Sequence, residues 1–139
     1  MPIYWTPKLA VGVTQIDEEH QELFDRVNRL LDAMVQARAK EALQPLLGFL
    51  ADYVETHFGG EQRLMQQHRY PEAAAHLAQH AHFVGEFKAL AAEVERSGPT
   101  ALLSIKLNKL LCDWLRDHVS VVDRKLGEFL QGTGRAARA

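Results

Sequence analysis

The sequence predicts an all-α protein: an up-down-up-down antiparallel four-helix bundle preceded by an extended N-terminal arm. Apolar residues recur at i, i+3, i+4 and i+7 over four long segments, which is the spacing of one buried helix face. The stretches ARAKE, HRYP and SGPT separate these segments and are typical of turns. With 139 residues, the chain is long enough for one domain with a sizeable core.

The composition excludes several classes of protein. There are 16 basic and 18 acidic residues and no run of like charges, so neither nucleic acid nor an anionic membrane is expected as a partner. No apolar run approaches the ~18 residues that a membrane helix needs, and the N-terminus lacks the pattern of a secretory signal. The single cysteine, Cys112, excludes an intrachain disulfide. Together these features favour a cytoplasmic protein.

The arm is predicted over residues 1–16, and the first helix over 17–38. Asp17 suits the N-cap because its carboxylate can accept bonds from the free N–H groups of the first turn. His20 continues the apolar stripe of this helix. A lone histidine there is more often a hydrogen-bonded core side chain than a metal ligand.

The second helix is predicted over residues 41–66. His57 and Glu61 are four residues apart, so they share one helix face and continue its apolar stripe. A buried carboxylate is costly unless it is paired or bound to a metal. Glu61 therefore favours a polar or metal site within the core.

The third helix is predicted over residues 71–96, with Pro71 at its first position, where proline is tolerated. His76 and His80 form a second pair four residues apart and again extend an apolar stripe.

The fourth helix is predicted over residues 99–131, followed by a frayed tail over 132–139. His118 and Asp123 are five residues apart, which separates them by about 140° in a regular α-helix. Either they reach a site from two sides, or the helix widens locally into a π-bulge, a feature frequent at functional sites.

A distance rule brings these side chains to one level. Residues that are level on consecutive antiparallel helices must be equidistant along the chain from the turn between them. The pairs whose midpoints fall in the three predicted turns are His20 with His57, His57 with His80, Glu61 with His76, and His80 with His118. Asp123 lies beyond His118, near the height of His76. The side chains predicted to converge near one end of the bundle are therefore His20, His57, Glu61, His76, His80, His118 and Asp123.

These seven side chains are too many for one transition metal with four to six ligands, whereas two metals that share carboxylate bridges accommodate them. Imidazole with carboxylate inside a four-helix bundle favours a di-iron site. Two carboxylates, rather than the four of ferritin-like sites, leave positive charge that favours the reduced irons. One coordination position remains open, enough for a diatomic ligand. The same cluster without metal would leave too many polar groups unsatisfied in the core. The residues expected to form a dry pocket beside the open position are Leu23, Phe58, Trp114, Leu115 and Val119.

The motifs IDEEH, HFGGE, YP, H-x₃-H and WLRDHVSVVD resemble the hemerythrin family, and the chain looks like a single-domain bacterial hemerythrin over residues 1–139. The resemblance covers Trp5 to Leu130 and implies two Fe ions (Fe²⁺/Fe³⁺) with an oxo or hydroxo bridge, which bind O₂ reversibly. It implies that His76, His80 and His118 bind one iron. His20 and His57 would bind the other iron, which keeps the open site. Glu61 and Asp123 would bridge the two irons. Trp114 and Leu115 match pocket positions of the family.

The resemblance implies O₂ storage, delivery to an oxygen-consuming enzyme, or buffering, by a protein expected to be a monomer. No general acid or base is evident beside the ligands, and no phosphate loop, GxSxG or HExxH motif is present. The sequence therefore favours binding over catalysis. The alternatives are a di-iron enzyme acting on peroxide or nitric oxide, and an O₂ or redox sensor that signals through a separate partner.

Overall fold

Four long helices make up most of the chain in this computed structural model, which describes the backbone of residues 4–138 and the side chains of residues 4–132. The elements are a 3₁₀ turn (Pro7–Leu9), α1 (Thr14–Val35), α2 (Ala39–Gln67), α3 (Ala73–Ser97), α4 (Ala101–Asp113), a π-helix (Trp114–Asp123) and α5 (Arg124–Arg138). The last three run without a break and form the fourth long helix. The described residues contain no strand, so the predicted all-α class is confirmed.

Short connections over residues 36–38, 68–72 and 98–100 join the helices and make consecutive helices antiparallel. Ala37 and Arg69 adopt positive φ (60° and 53°) where the chain reverses. Consecutive helices pack on each other, and α1 also packs on α4, which closes the bundle. None of the helices in the described ranges combines the length and apolarity needed to cross a membrane.

The start of α1 differs from the prediction. The helix begins at Thr14, and Asp17 lies within its first turn, so the assignment of Asp17 as N-cap is wrong. Its carboxylate instead accepts a hydrogen bond from the backbone N–H of Val11 at 2.8 Å. Asp17 therefore ties the arm to the first helix rather than capping the helix.

The start of α3 also differs from the prediction. Pro71 lies in the turn, and the helix begins two residues later at Ala73, so Pro71 is not its first residue. The backbone N–H of Tyr70 donates to the carbonyl of Met65, which closes the preceding helix just before the proline.

The C-terminal segment is helical further than predicted. α5 continues to Arg138, so the predicted tail over 132–139 is wrong for its backbone as far as residue 138. Alanine and arginine, which make up four of the last seven helical residues, have high helix propensity. Residue 139 and the first three residues of the predicted arm lie outside the described residues.

The arm lies across the bundle. Trp5 and Leu9 pack against the main hydrophobic core, and Val11 is buried. The arm approaches α5 closely at Gly127, where an added Cβ would lie 2.5 Å from the Cα of Val11. The lack of a side chain at Gly127 therefore allows the arm to seat against the fourth long helix.

Of the two explanations for the five-residue spacing of His118 and Asp123, the structure shows the local widening, as a π-helix over Trp114–Asp123. Its hydrogen bonds join residues five apart, so residues i and i+5 lie much closer to one face than they do in a regular α-helix. The hydroxyl of Ser120 donates to the carbonyl of Leu115, also five residues away, at 2.6 Å. This geometry lets His118 and Asp123 point to the same side.

Candidate metal centre

The seven predicted ligand side chains meet inside the bundle near the α2–α3 turn. α1 contributes one, α2 two, α3 two, and the π-helix two. None of the seven is more than 4% exposed. The structure thus brings together every residue that the distance rule placed in the cluster, and it leaves none of them on the surface.

The cluster divides into two groups whose potential ligand atoms lie within 4.8 Å of one another. One group has three histidines and two carboxylates: Glu61, His76, His80, His118 and Asp123. The other has two histidines and the same two carboxylates: His20, His57, Glu61 and Asp123. The chain therefore offers two adjoining sites that share both carboxylates.

The carboxylate of Asp123 faces both groups. Its Oδ2 lies 3.1 Å from Nε2 of His20, while its Oδ1 lies 3.1 Å from Nε2 of both His76 and His118. The Oε1 atom of Glu61 lies 3.1 Å from Nε2 of His80 and 3.7 Å from Nε2 of His57. Each carboxylate thus stands between the two histidine sets, where a bridging ligand belongs.

The donor atoms of the cluster fit metal ions. Although several nitrogen and oxygen atoms are 3.1 Å apart, the Nε2 atoms and both carboxylates form no aligned hydrogen bond with any residue that the structure describes. Two ligand atoms at about 2.1 Å from a shared octahedral ion stand about 3 Å apart. Buried polar atoms are normally satisfied. The spacing and the missing hydrogen bonds both fit ions between these atoms.

The electrostatics of the cluster suit cation binding. Burial opposes ionisation of Asp123, but the imidazoles of His118, His20 and His76 outweigh it and hold the pKa of Asp123 well below its usual range. Burial and Asp123 oppose ionisation of Glu61, yet the surrounding histidines lower its pKa as well. Both carboxylates are therefore charged at neutral pH and available as metal ligands.

The histidines of the metal-free cluster differ in proton affinity. Burial lowers the pKa of His76, but Asp123 and Glu61 outweigh this effect and raise the pKa to about 9. The same balance raises the pKa of His20. For His80, burial dominates and lowers the pKa. Because metal ligation needs neutral imidazole, metal binding must displace protons from this cluster.

Two hydrogen bonds hold ligand histidines from outside. Nδ1 of His57 lies 3.0 Å from the Glu19 carboxylate, and Nδ1 of His118 lies 2.7 Å from the side-chain oxygen of Gln79. Neither Glu19 nor Gln79 was among the predicted site residues. The distance rule would have found them, because each pair has its midpoint in one of the turns used above.

Aromatic rings stack on three of the histidines. Trp114 covers His118 at 3.8 Å and 9°, Phe58 covers His80 at 3.9 Å and 8°, and Tyr53 covers His57 at 4.6 Å and 14°. The indole N–H of Trp114 donates to the hydroxyl of Tyr53 at 3.5 Å. Tyr53 was not among the predicted site residues, yet this contact makes it part of the cluster's surroundings.

The five residues of the predicted dry pocket are all buried in the main core, at 8% exposure or less: Leu23, Phe58, Trp114, Leu115 and Val119. A cleft of about 530 Å³ between α3 and the fourth long helix leads from the surface to Trp114 and His118. The wall of the cluster is thus apolar, and it comes near solvent at Trp114.

A buried set of five imidazoles and two carboxylates in an all-α bundle defines a metal-binding helical-bundle protein. Residues 11–130 match the family described as "Hemerythrin HHE cation binding domain". The chain therefore belongs to the hemerythrin family.

Several relatives resemble the chain over most of its length. The "Bacteriohemerythrin" of Methylococcus capsulatus is 32% identical over 91% of this chain and 95% of the relative. The "Bacteriohemerythrin" of Stenotrophomonas maltophilia is 28% identical over 84% of this chain and 74% of the relative. The "Myohemerythrin" of Sipunculus nudus is 27% identical over 89% of this chain and 90% of the relative.

Proposed function

We propose that the cluster holds two iron ions and that the protein binds O₂ reversibly at this centre. The observation that carries the proposal is the unequal division of histidines between two buried groups that share Glu61 and Asp123. The three-histidine group would offer five protein ligands to one ion, whereas the group with His20 and His57 would offer four to the other. The second position would therefore have more room for a small ligand. When bound, two ferrous ions supply the electrons that O₂ can take up and return.

The chain's own residues support binding rather than turnover. Leu23, Leu115 and Val119 are at most 1% exposed and belong to the core that adjoins the cluster, so they exclude water from it. The partly exposed carboxylate of Glu19 contacts Nδ1 of His57, on the side of the ring that faces away from the cluster. A carboxylate held there is not placed to exchange protons with a ligand in the pocket. We therefore propose a carrier rather than an enzyme.

The physiological role follows as part of the same proposal. Reversible binding in a monomeric cytoplasmic protein would serve O₂ storage, buffering, or delivery to an oxygen-consuming enzyme. The family match and the relatives that bear the name bacteriohemerythrin support this choice.

Anaerobic reduction followed by exposure to O₂ tests the proposal. Visible absorption would be recorded while iron is quantified on the same sample. We expect two irons per chain and an absorption band that appears with O₂ and disappears when O₂ is removed. Irreversible oxidation of a two-iron sample would contradict the carrier function. It would favour a di-iron enzyme acting on peroxide or nitric oxide, or a redox sensor. One metal per chain would contradict the two-ion centre itself.

A further inference from the structure

The outer nitrogens of the five cluster histidines are not treated alike. In all five rings Nε2 faces a carboxylate of the cluster and Nδ1 faces away. Of these five Nδ1 atoms, only those of His57 and His118 have a hydrogen-bond partner within the described part of the chain. Each histidine group therefore contains one ring that is held from outside.

The two outer partners differ in charge but not in type of contact. Both present a side-chain oxygen on a neighbouring helix: Glu19 on α1 to His57, and Gln79 on α3 to His118. With Nε2 turned toward the metal positions, the proton lies on Nδ1, so both oxygens accept a hydrogen bond. Glu19 is a carboxylate, whereas Gln79 is a neutral amide. Charge-assisted hydrogen bonds are roughly twice as strong as neutral ones.

We propose that Glu19 and Gln79 are positioning residues that make the two metal positions electronically unequal. The carboxylate of Glu19 draws the Nδ1 proton of His57 and so makes this imidazole the more electron-rich ligand. Its negative charge favours the higher oxidation state of the ion in the two-histidine group. Gln79 fixes the ring of His118 without adding charge to the three-histidine group. This inference rests on the proposed two-ion centre and assigns electron donation to the position that has room for a ligand.

The division of charge matches the division of histidines. The group with two imidazoles receives the carboxylate-backed ring, and the group with three receives the amide-backed ring. His57 is also fixed by Tyr53, which stacks on it at 4.6 Å. Loss of the Glu19 charge alone therefore leaves the ring supported, so the variant Glu19→Gln separates the effect of charge from the effect of ring placement.

Cobalt binding to the metal-free protein provides the test, because it needs neither iron nor O₂. Anaerobic titration with Co²⁺ against a competing chelator gives two dissociation constants, and the visible spectrum reports the coordination of each ion. We expect Glu19→Gln to weaken the binding of one of the two Co²⁺ ions by about 10-fold. This is the lower end of the effects that follow when an outer partner of a metal-binding histidine is changed. Gln79→Glu should alter the constant of the other ion.

The matched control is Glu18→Gln, which removes the same charge from the neighbouring, exposed residue. It should leave both constants unchanged. Two results would overturn the proposal: Glu19→Gln and Glu18→Gln giving the same pair of constants, or Glu19→Gln weakening both ions equally. If Glu19→Gln fails to fold, Gln79→Glu still tests the proposal. A change in both Co²⁺ dissociation constants, or in neither, would contradict the proposal that the two metal positions are electronically unequal.

In the iron-loaded protein, Glu19→Gln should raise the reduction potential and shorten the lifetime of the oxygenated form, whereas Glu18→Gln should change neither. The cobalt result separates the two proposals. Unequal cobalt sites with irreversible oxidation by O₂ would uphold the roles of Glu19 and Gln79 and defeat the carrier function. Reversible oxygenation together with cobalt dissociation constants that Glu19→Gln leaves unchanged would uphold the carrier function and contradict the roles of Glu19 and Gln79.

Discussion

At the scale of single residues, the carboxylate of Glu61 has no substitute in the cluster. It is fully buried, belongs to both ligand groups and has no aligned hydrogen bond within the described residues. We expect Glu61→Ala to abolish stable binding of two ions, because each ion loses a ligand and only Asp123 remains to bridge. Metal quantification after gel filtration would measure this. Glu86→Ala, which removes a surface carboxylate paired with His82, is the control and should retain two metals per chain. Two irons in Glu61→Ala would refute the bridging role.

Leu115 is a single residue whose side chain is expected to shield the ligand pocket. It is 1% exposed and immediately follows Trp114, the ring that stacks on His118. We expect Leu115→Ala to speed the loss of the oxygenated form, because the cavity admits water, and to lower the free energy of unfolding by about 2–5 kcal/mol. Stopped-flow absorption and chemical denaturation measure the two effects.

Leu107→Ala controls for the loss of stability. Leu107 is equally buried but lies two turns earlier in the fourth long helix. It should destabilise the fold to a similar extent without changing the rate at which the oxygenated form decays. Equal decay rates in the two variants would show that Leu115 does not shield the ligand.

At the scale of elements, the sequence predicted four helices but placed some of their ends wrongly. The spacing of apolar residues indicates which face of a helix is buried, so it located the four helices correctly. It does not determine where each helix begins and ends. The predicted start at Asp17 was wrong, although aspartate is a good N-cap residue. The Asp17 carboxylate accepts a hydrogen bond from the backbone N–H of Val11 in the arm instead of capping the helix. The five-residue spacing of His118 and Asp123 suggested the π-helix but did not require it, because a site approached from two sides explains the same spacing.

The contact between the arm and α5 yields a prediction at this scale. Gly127→Ala would place a Cβ 2.5 Å from the Cα of Val11, so the arm must move away from the helix. We expect a loss of about 1–3 kcal/mol in unfolding free energy, the usual effect of overpacking, and faster proteolysis within the arm. Gly132→Ala is the control, because nothing lies within 4 Å of its added Cβ. That variant should keep or slightly raise the stability, since alanine favours helix.

At the scale of the whole molecule, the cluster was predictable because bundle topology turns spacing along the chain into height. Three short turns fix the heights of the cluster residues on consecutive helices, so the distance rule located six of them, and Asp123 followed from its position beyond His118. The outer contacts of Glu19 and Gln79 obey the same rule but lie off the apolar stripes, and residues off a stripe are ordinarily solvated. Only the folded structure brings the side-chain oxygens of these two residues to Nδ1 of His57 and His118.

The balance of charge in the bundle sets how the stability of the metal-free protein depends on pH. The pKa of His76 is raised to about 9 from 6.5, and that of His20 is also raised, so both contribute stability that is fully present below pH 6.5. This contribution is lost as pH rises through the folded-state pKa. Over that range Asp123 and Glu61 stay ionised, because their pKa values are lowered. We therefore expect the melting temperature of the chelator-treated protein to fall between pH 6.5 and about 9.

Metal should reverse this trend, because ions replace the protons that the cluster would otherwise hold. With Zn²⁺ bound, the melting temperature should rise or stay level over the same range. Thermal unfolding followed by circular dichroism, with and without Zn²⁺, measures both curves. The variant His82→Gln alters an exposed histidine outside the cluster and should leave the metal-free curve unchanged, whereas His76→Gln should flatten it. A metal-free protein whose stability increases from pH 6.5 to 9 would show that the carboxylates do not hold a proton on His76, and the charge balance described for the cluster would then be wrong.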